Sequence, residues 1–215
     1  MAVNAQAPRR QAVFVDKDGT LIENVPFNVD AARIRFAPGA ERAVARLAAA
    51  GFAIAIVSNQ AGVARGMFDE AAVEAVGRTL TDRLAALGVG LAGFYYCPHD
   101  PHGTVPRYRR VCDCRKPAPG LIVRAARELR VDLSVSWLIG DILDDIEAGR
   151  RARCRTILVD AGNETEWRMS RMRLPHHVAA DLDEAAELIV ALDDVLRGRS
   201  AVAGNPHRVP RAVGP

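Results

Sequence analysis

Two aspartates, Asp16 and Asp18, flank a single residue and run straight into Gly19-Thr20. In an extended segment residues two apart share a side, so both carboxylates are expected to face one ligand, and Gly19 lets the chain turn sharply away. A carboxylate is a competent nucleophile toward phosphorus and needs no deprotonation at neutral pH. A second carboxyl, kept protonated by its neighbour, can donate to a leaving alkoxide. Much later in the chain, Asp141 and Asp145 follow Gly140 and add further anionic oxygens, which suit a hard cation such as Mg²⁺. Asp-x-Asp-Gly-Thr alone is equally an ordinary polar turn. That reading weakens when a second acidic motif also follows an apolar run.

The basic residues add one marker. Of 29 Lys plus Arg, only Lys17 and Lys116 are lysines. The arginine excess reflects compositional bias, yet Lys116 persists beside Pro117, just after a cysteine cluster. A compact ammonium meets a phosphate as a point charge, whereas guanidinium is a broad fork, so Lys116 is read as functional. Lys17 is read as structural, its side chain pointing away from both aspartates.

Cys97, His99, Cys112 and Cys114 offer three thiolates and one imidazole, a closed tetrahedral set for zinc. Their two tight pairs suit a loop folded back on itself. Ordinary reduced cysteines or a disulfide are the alternatives. No position is left for water, so such a site is structural. His102 competes with His99, and the Cys-x-His spacing favours His99. Cys154 precedes an apolar run and reads as a small core residue.

The elements that must position these groups alternate between short β-rich runs and amphipathic helices. Strands are expected at Ala12–Val15, Phe52–Val57, Phe94–Tyr96, Ser136–Ile139 and Thr156–Val159. Pro38 and Gly39 open a helix that Gly51 closes as a left-handed cap. Asp69 caps a helix to about Leu87, Pro119 starts one through Arg130, another runs from about Asp144, and Asp183 caps a last one to about Leu196. This alternation implies a doubly wound α/β fold on a parallel sheet, in which ligands bind beyond the carboxyl ends of the strands. Asp16, Ser58 and Asp141 each lie just past a strand.

The 215 residues are 49% hydrophobic and 26% charged, ordinary for a globular domain. The expected division is a flexible segment 1–10, a single domain 11–196 with its metal loop at 97–114, and a disordered Arg/Pro/Gly-rich tail 197–215. No apolar run reaches the roughly 18 residues of a membrane span, and no secretion signal is present at the N-terminus; a cytoplasmic monomer is expected. Four arginines at 197, 199, 208 and 211 carry the basic balance: removing them from the net charge of +3 leaves −1, which gives no electrostatic case for a nucleic-acid partner.

Taken together, Asp16-Lys-Asp18-Gly-Thr, Ser58-Asn59-Gln60, Lys116 and Gly140-Asp141-x-x-x-Asp145 resemble the four motifs of the haloacid dehalogenase-like phosphatase superfamily. Tyr95-Tyr96-Cys97-Pro98-His99 with Cys112-Asp-Cys114-Arg115-Lys116-Pro117 resembles its histidinol-phosphatase and heptose-bisphosphate phosphatase branch, and the interval from His99 to Cys112 resembles the heptose enzymes. Ser58 stands where threonine is frequent, Ile142 where some heptose enzymes have lysine, and Asn24–Asp30 differs from the best-known members. The resemblance implies a fold without a large cap domain and a zinc loop. It further implies a phosphatase in which Asp16 attacks phosphorus and Asp18 serves as acid and then base. Mg²⁺ would sit on Asp16, the Asp18 carbonyl and Asp141, with Asp145 behind them. Ser58, Asn59, Gln60 and Lys116 would hold phosphoryl oxygens, and Arg115 the distal part of a small phosphorylated sugar; Arg65 and Arg109 are weaker candidates. The expected substrate is D-glycero-D-manno-heptose 1,7-bisphosphate. Histidinol phosphate or another sugar phosphate is the alternative, and a non-catalytic zinc module the reading from another class.

Overall fold

The computed structural model describes residues 10–198; the expected flexible N-terminus and most of the arginine-rich tail lie outside the described residues. Among the described residues, six strands form one all-parallel sheet in the order β3-β2-β1-β4-β5-β6. They are β1 Ala12–Val15, β2 Ala53–Asn59, β3 Leu91–Cys97, β4 Trp137–Gly140, β5 Arg155–Val159 and β6 His177–Ala179. The helices are α1 Ala40–Ala49, α2 Glu70–Ala86, α3 Gly120–Leu129, α4 Leu143–Arg151 and α5 Leu182–Leu196. Among the described residues no separate folding unit interrupts this order, and no large cap is evident.

Strand pleating explains the layering. Val13 and Val15 point into one core with Ile54, Ile56 and Trp137, covered by α1 and α5. Ala12 and Phe14 point the other way, into a core with Val57 and Leu138 that α3 covers. A strand buried on both faces must be apolar throughout, and all four residues of β1 are fully buried. β1 lies between β2 and β4, so the carboxyl end of β1 is where the strand order reverses. Ligand crevices form at such switch points.

Several boundaries differ from expectation. β3 begins at Leu91, three residues early, and the short edge strand β6 is an addition. The cap of α5 is Asp181, whose carboxylate accepts from the Glu184 backbone at 2.8 Å. Asp183 instead faces Arg42 at 2.9 Å and Arg46 at 3.4 Å, both on α1. A candidate cap two residues inside a helix is drawn off by a cross-helix charge. Asp69 and Gly51 cap their helices as expected.

Candidate active site

The backbone of Asp16 continues the β1–β4 ladder, donating to Ile139 O at 2.9 Å, and this fixes its carboxylate at the switch point. One oxygen each from Asp16, Asp141 and Asp145 lies within 4.8 Å of the others, and all three residues are buried. Lys116 enters from the far side, 2% exposed. Its ammonium donates to Asp16 Oδ1 and to Val57 O at 3.1 Å, and stands 2.5 Å from Asp145 Oδ1. Burial alone would neutralise this lysine, but Asp145 and Asp16 hold it protonated and above its ordinary range.

Glycine is forced at two points. Gly19 has φ +87°, and a Cβ there would lie 2.1 Å from Asp141 Oδ2; a Cβ on Gly140 would lie 2.3 Å from that of Asp145. Thr20 secures Asp141 through a 3.1 Å bond from its hydroxyl, a contact that sequence spacing does not reveal. Nor does it reveal Glu164, which accepts from the Leu143 backbone at 2.7 Å and so caps the helix carrying Asp145.

Three buried carboxylates against one ammonium leave negative charge uncompensated. Burial, and then the charge of Asp16, raise Asp141 to about 7; burial raises Asp145 to about 8 against the pull of Lys116. An all-oxygen, anionic, buried set in excess of its counter-charge fits a divalent hard cation. Without metal, the folded state binds more protons here than the unfolded chain, whose aspartates titrate near about 3.9. Stability from these groups therefore falls as pH rises from the unfolded aspartate value of about 4 through the folded values of about 7 and 8. Thermal melts in chelator should show this slope, and added Mg²⁺ should flatten it by stabilising most at pH 8.

Asp18 is partly exposed. Lys17 Nζ lies 3.0 Å from its Oδ1, which corrects the expectation that Lys17 points away. The chain is not extended here: Ile22 N closes a turn on Lys17 O at 2.9 Å, so the two-residue alternation does not apply. Gln60 Nε2 donates to Asp18 Oδ2 at 3.1 Å and to Ser58 Oγ at 2.8 Å. Burial raises the Asp18 pKa, with Lys17 opposing. Asn59 turns to the Lys116 backbone, donating to its O at 3.1 Å and accepting from its N at 3.0 Å, and thereby clamps the segment that presents the ammonium.

An open cleft of about 270 Å³ leads outward from Asp18, walled by Phe27, Gln60, Arg65 and Arg115. Arg109 is exposed and does not line it. Arg115 is anchored by a 3.2 Å bond to His99 O.

Cys97, His99, Cys112 and Cys114 converge as one group. Sulfur–sulfur separations of 3.1, 3.3 and 3.5 Å are far beyond a disulfide bond of about 2.05 Å, and His99 Nδ1 lies 3.3 Å from Cys114 Sγ and 3.5 Å from Cys97 Sγ. A zinc ion with Zn–S bonds of about 2.3 Å needs tetrahedral edges only slightly longer, roughly 3.8 Å. The hydrogen bond between Cys97 and Cys114 lowers the pKa of the Cys114 thiol and raises that of Cys97, so the pair shares a proton that a metal would displace. Arg110 stands 2.7 Å from His99 Nε2; metal on Nδ1 leaves the proton on Nε2, so Arg110 must then withdraw. Cys154 is buried in the core behind α3, where burial pushes its thiol up to about 12. His102 is exposed and outside the group.

A profile of the family described as HAD-hydrolase-like matches residues 113–185, from beside Lys116 past Asp145. The D-glycero-β-D-manno-heptose-1,7-bisphosphate 7-phosphatase of Escherichia coli K12 is 37% identical over 183 residues, covering 81% of this chain and 92% of its own length. That of Rhodopseudomonas palustris is 41% identical over 150 residues, covering 70% and 83%. The chain belongs to the D-glycero-β-D-manno-heptose-1,7-bisphosphate 7-phosphatase family of HAD-like hydrolases. A D,D-heptose 1,7-bisphosphate phosphatase of B. bronchiseptica, solved with magnesium and phosphate, superimposes with a TM-score of 0.69 at 29% identity, covering 85% of this chain and 99% of that one. Membership in this family fits the small, uncapped α/β body. Among the described residues, no helix is long and apolar enough to cross a membrane.

Proposed function

We propose that the protein is a Mg²⁺-dependent phosphomonoesterase that removes the 7-phosphate of D-glycero-D-manno-heptose 1,7-bisphosphate through an aspartyl-phosphate on Asp16. The observation that carries this reading is the convergence of Asp16, Asp141, Asp145 and Lys116 at the switch point, in a member of this phosphatase family. An oxygen of Asp16 attacks phosphorus in line as the bond to the sugar oxygen breaks, and Asp18 passes its proton to that oxygen. A water then gives a proton to Asp18 and attacks the same phosphorus, releasing inorganic phosphate and restoring the Asp16 carboxylate. Lys116 and the Ser58 hydroxyl hold phosphoryl oxygens, with the backbone of Asn59 beside them. Gln60 orients Asp18, and Arg115 meets the distal end of the substrate. Mg²⁺ on Asp16, the Asp18 carbonyl and Asp141, backed by Asp145, would neutralise charge that otherwise repels the nucleophile.

Phosphate release from a panel of the heptose bisphosphate, its monophosphate, histidinol phosphate and simple sugar phosphates, with and without Mg²⁺, tests the assignment. Preference for the bisphosphate, dependent on metal, is expected; preference for histidinol phosphate overturns the substrate.

The Cys/His quartet is read as a structural zinc site on Cys97, His99, Cys112 and Cys114. Cys112→Ser is expected to lose zinc and to lower the melting temperature by roughly 5–10 °C. Metal analysis and calorimetry check both; a variant that keeps one zinc per chain contradicts the ligand set.

A further inference from the structure

The turn that follows His99 is tied to the cleft mouth through Arg65, beside the bond that Arg115 makes to His99 O. Asp100 is buried, and its carboxylate accepts from Arg65 Nε at 2.9 Å and from the His102 backbone at 3.0 Å. Arg65 sits in the turn after β2, and its guanidinium carbon lies 5.2 Å from the centre of the Phe27 ring, in the segment after β1. Phe27 holds a left-handed backbone at φ +54°, a conformation that bulky residues rarely adopt. The backbone forms a parallel seam: Val105 N donates to Ala64 O at 2.8 Å, and a Cβ on Gly103 would lie 2.6 Å from that oxygen. The metal-loop turn, the turn after β2 and the cleft rim therefore meet at Arg65, which also lines the cleft.

We propose that Asp100–Arg65–Phe27 is a positioning relay coupling the Cys/His loop to the shape of the cleft mouth, with Phe27 as the wall offered to the non-reacting end of the substrate. This rests on the phosphatase reading and on metal in the quartet. Arg65 acts through its neighbours and not on the reacting atoms. A planar guanidinium can bond Asp100 at one edge while its face stacks on a ring, which an ammonium cannot do. Coupling of this kind is reciprocal in binding free energy: substrate held at the mouth tightens metal in the loop by the factor that metal tightens substrate, and a change that frees Arg65 weakens both.

Zinc-loaded full-length protein, challenged with a chromogenic chelator, tests the relay. Arg65→Gln and Asp100→Asn are expected to release zinc about fivefold faster than wild type, although neither residue is a ligand. Arg65→Lys should follow Arg65→Gln. In steady-state kinetics Asp100→Asn should raise KM for the heptose bisphosphate about fivefold, hold kcat within about twofold, and leave p-nitrophenyl phosphate, which has no distal group, little changed. Equal zinc release from wild type and Arg65→Gln overturns the coupling. An equal loss on both esters also overturns it, being the mark of a loop held only in shape. If Asp100→Asn does not fold, the Arg65 variants carry the comparison. Wild-type protein that takes up no zinc overturns the relay together with the metal assignment. Zinc-bearing protein that hydrolyses neither ester counts against the phosphatase reading, and the release rates still decide the relay.

Discussion

Asp16→Asn should abolish turnover, by about 10⁴-fold or more, while the protein stays folded. The amide is nearly the same size as the carboxylate but cannot attack phosphorus. Its effect on stability should be small or favourable. Asp16 is one of three buried acids around a single ammonium, so removing its charge relieves repulsion with Asp141 and Asp145. Lost catalysis with an unchanged or raised melting temperature is the expected pair of results, read by phosphate release and calorimetry. A large fall in melting temperature would instead mean that the carboxylate serves the fold.

Lys116→Met should do the opposite to stability. The ammonium is buried between Asp16 and Asp145, and deleting it leaves two buried charges without their partner. Breaking such a pair costs about 3–5 kcal/mol, a fall of roughly 10 °C or more in a domain of this size. Activity should drop by about 10³-fold as well, the scale of losing one preorganised charge at a phosphoryl group. The pH dependence carries a sign. The folded-state pKa of Lys116 is raised, so its contribution is fully present below the unfolded lysine value of about 10.4 and is lost as pH rises through the folded value. In Lys116→Met, acidification below pH 7 should recover part of the lost stability by protonating the acids left behind. Added Mg²⁺ should recover part of it at pH 8.

Much of this crevice was legible because its residues sit immediately after apolar runs. A buried parallel strand reads as an uninterrupted hydrophobic stretch, and the polar residue that ends it marks the sheet edge where ligands bind; Asp16 and Asp141, which converge with Asp145, follow such runs, whereas Ser58, expected past a strand, lies inside β2. The convergence of Cys97, His99, Cys112 and Cys114 was legible from their spacing together with the family resemblance, which together favoured His99 over His102. What stayed hidden depends on turns and on long-range partners. Lys17 was misdirected because alternation holds only while a chain is extended, and the turn begins at the residue in question. The Gln60 bridge between Ser58 and Asp18, the Thr20 bond to Asp141 and the Glu164 cap on α4 join positions 42, 121 and 21 residues apart, which no local pattern encodes. β6 is three residues long, too short for a period to show. Asp183 looked like a cap because caps are read from residue type, and only the packing of α1 against α5 reveals that its charge is taken by Arg42.

In the proposed reaction Asp16 carries the phosphoryl group covalently between the two half-reactions. Rapid quenching of protein, Mg²⁺ and heptose bisphosphate during turnover, followed by borohydride reduction and peptide mass spectrometry, tests it directly. An acyl phosphate on Asp16 is reduced to homoserine at that position, and this product should form only when both substrate and Mg²⁺ are present. Turnover with no homoserine at position 16, or with the label on Asp18 or Asp141 instead, would contradict the account.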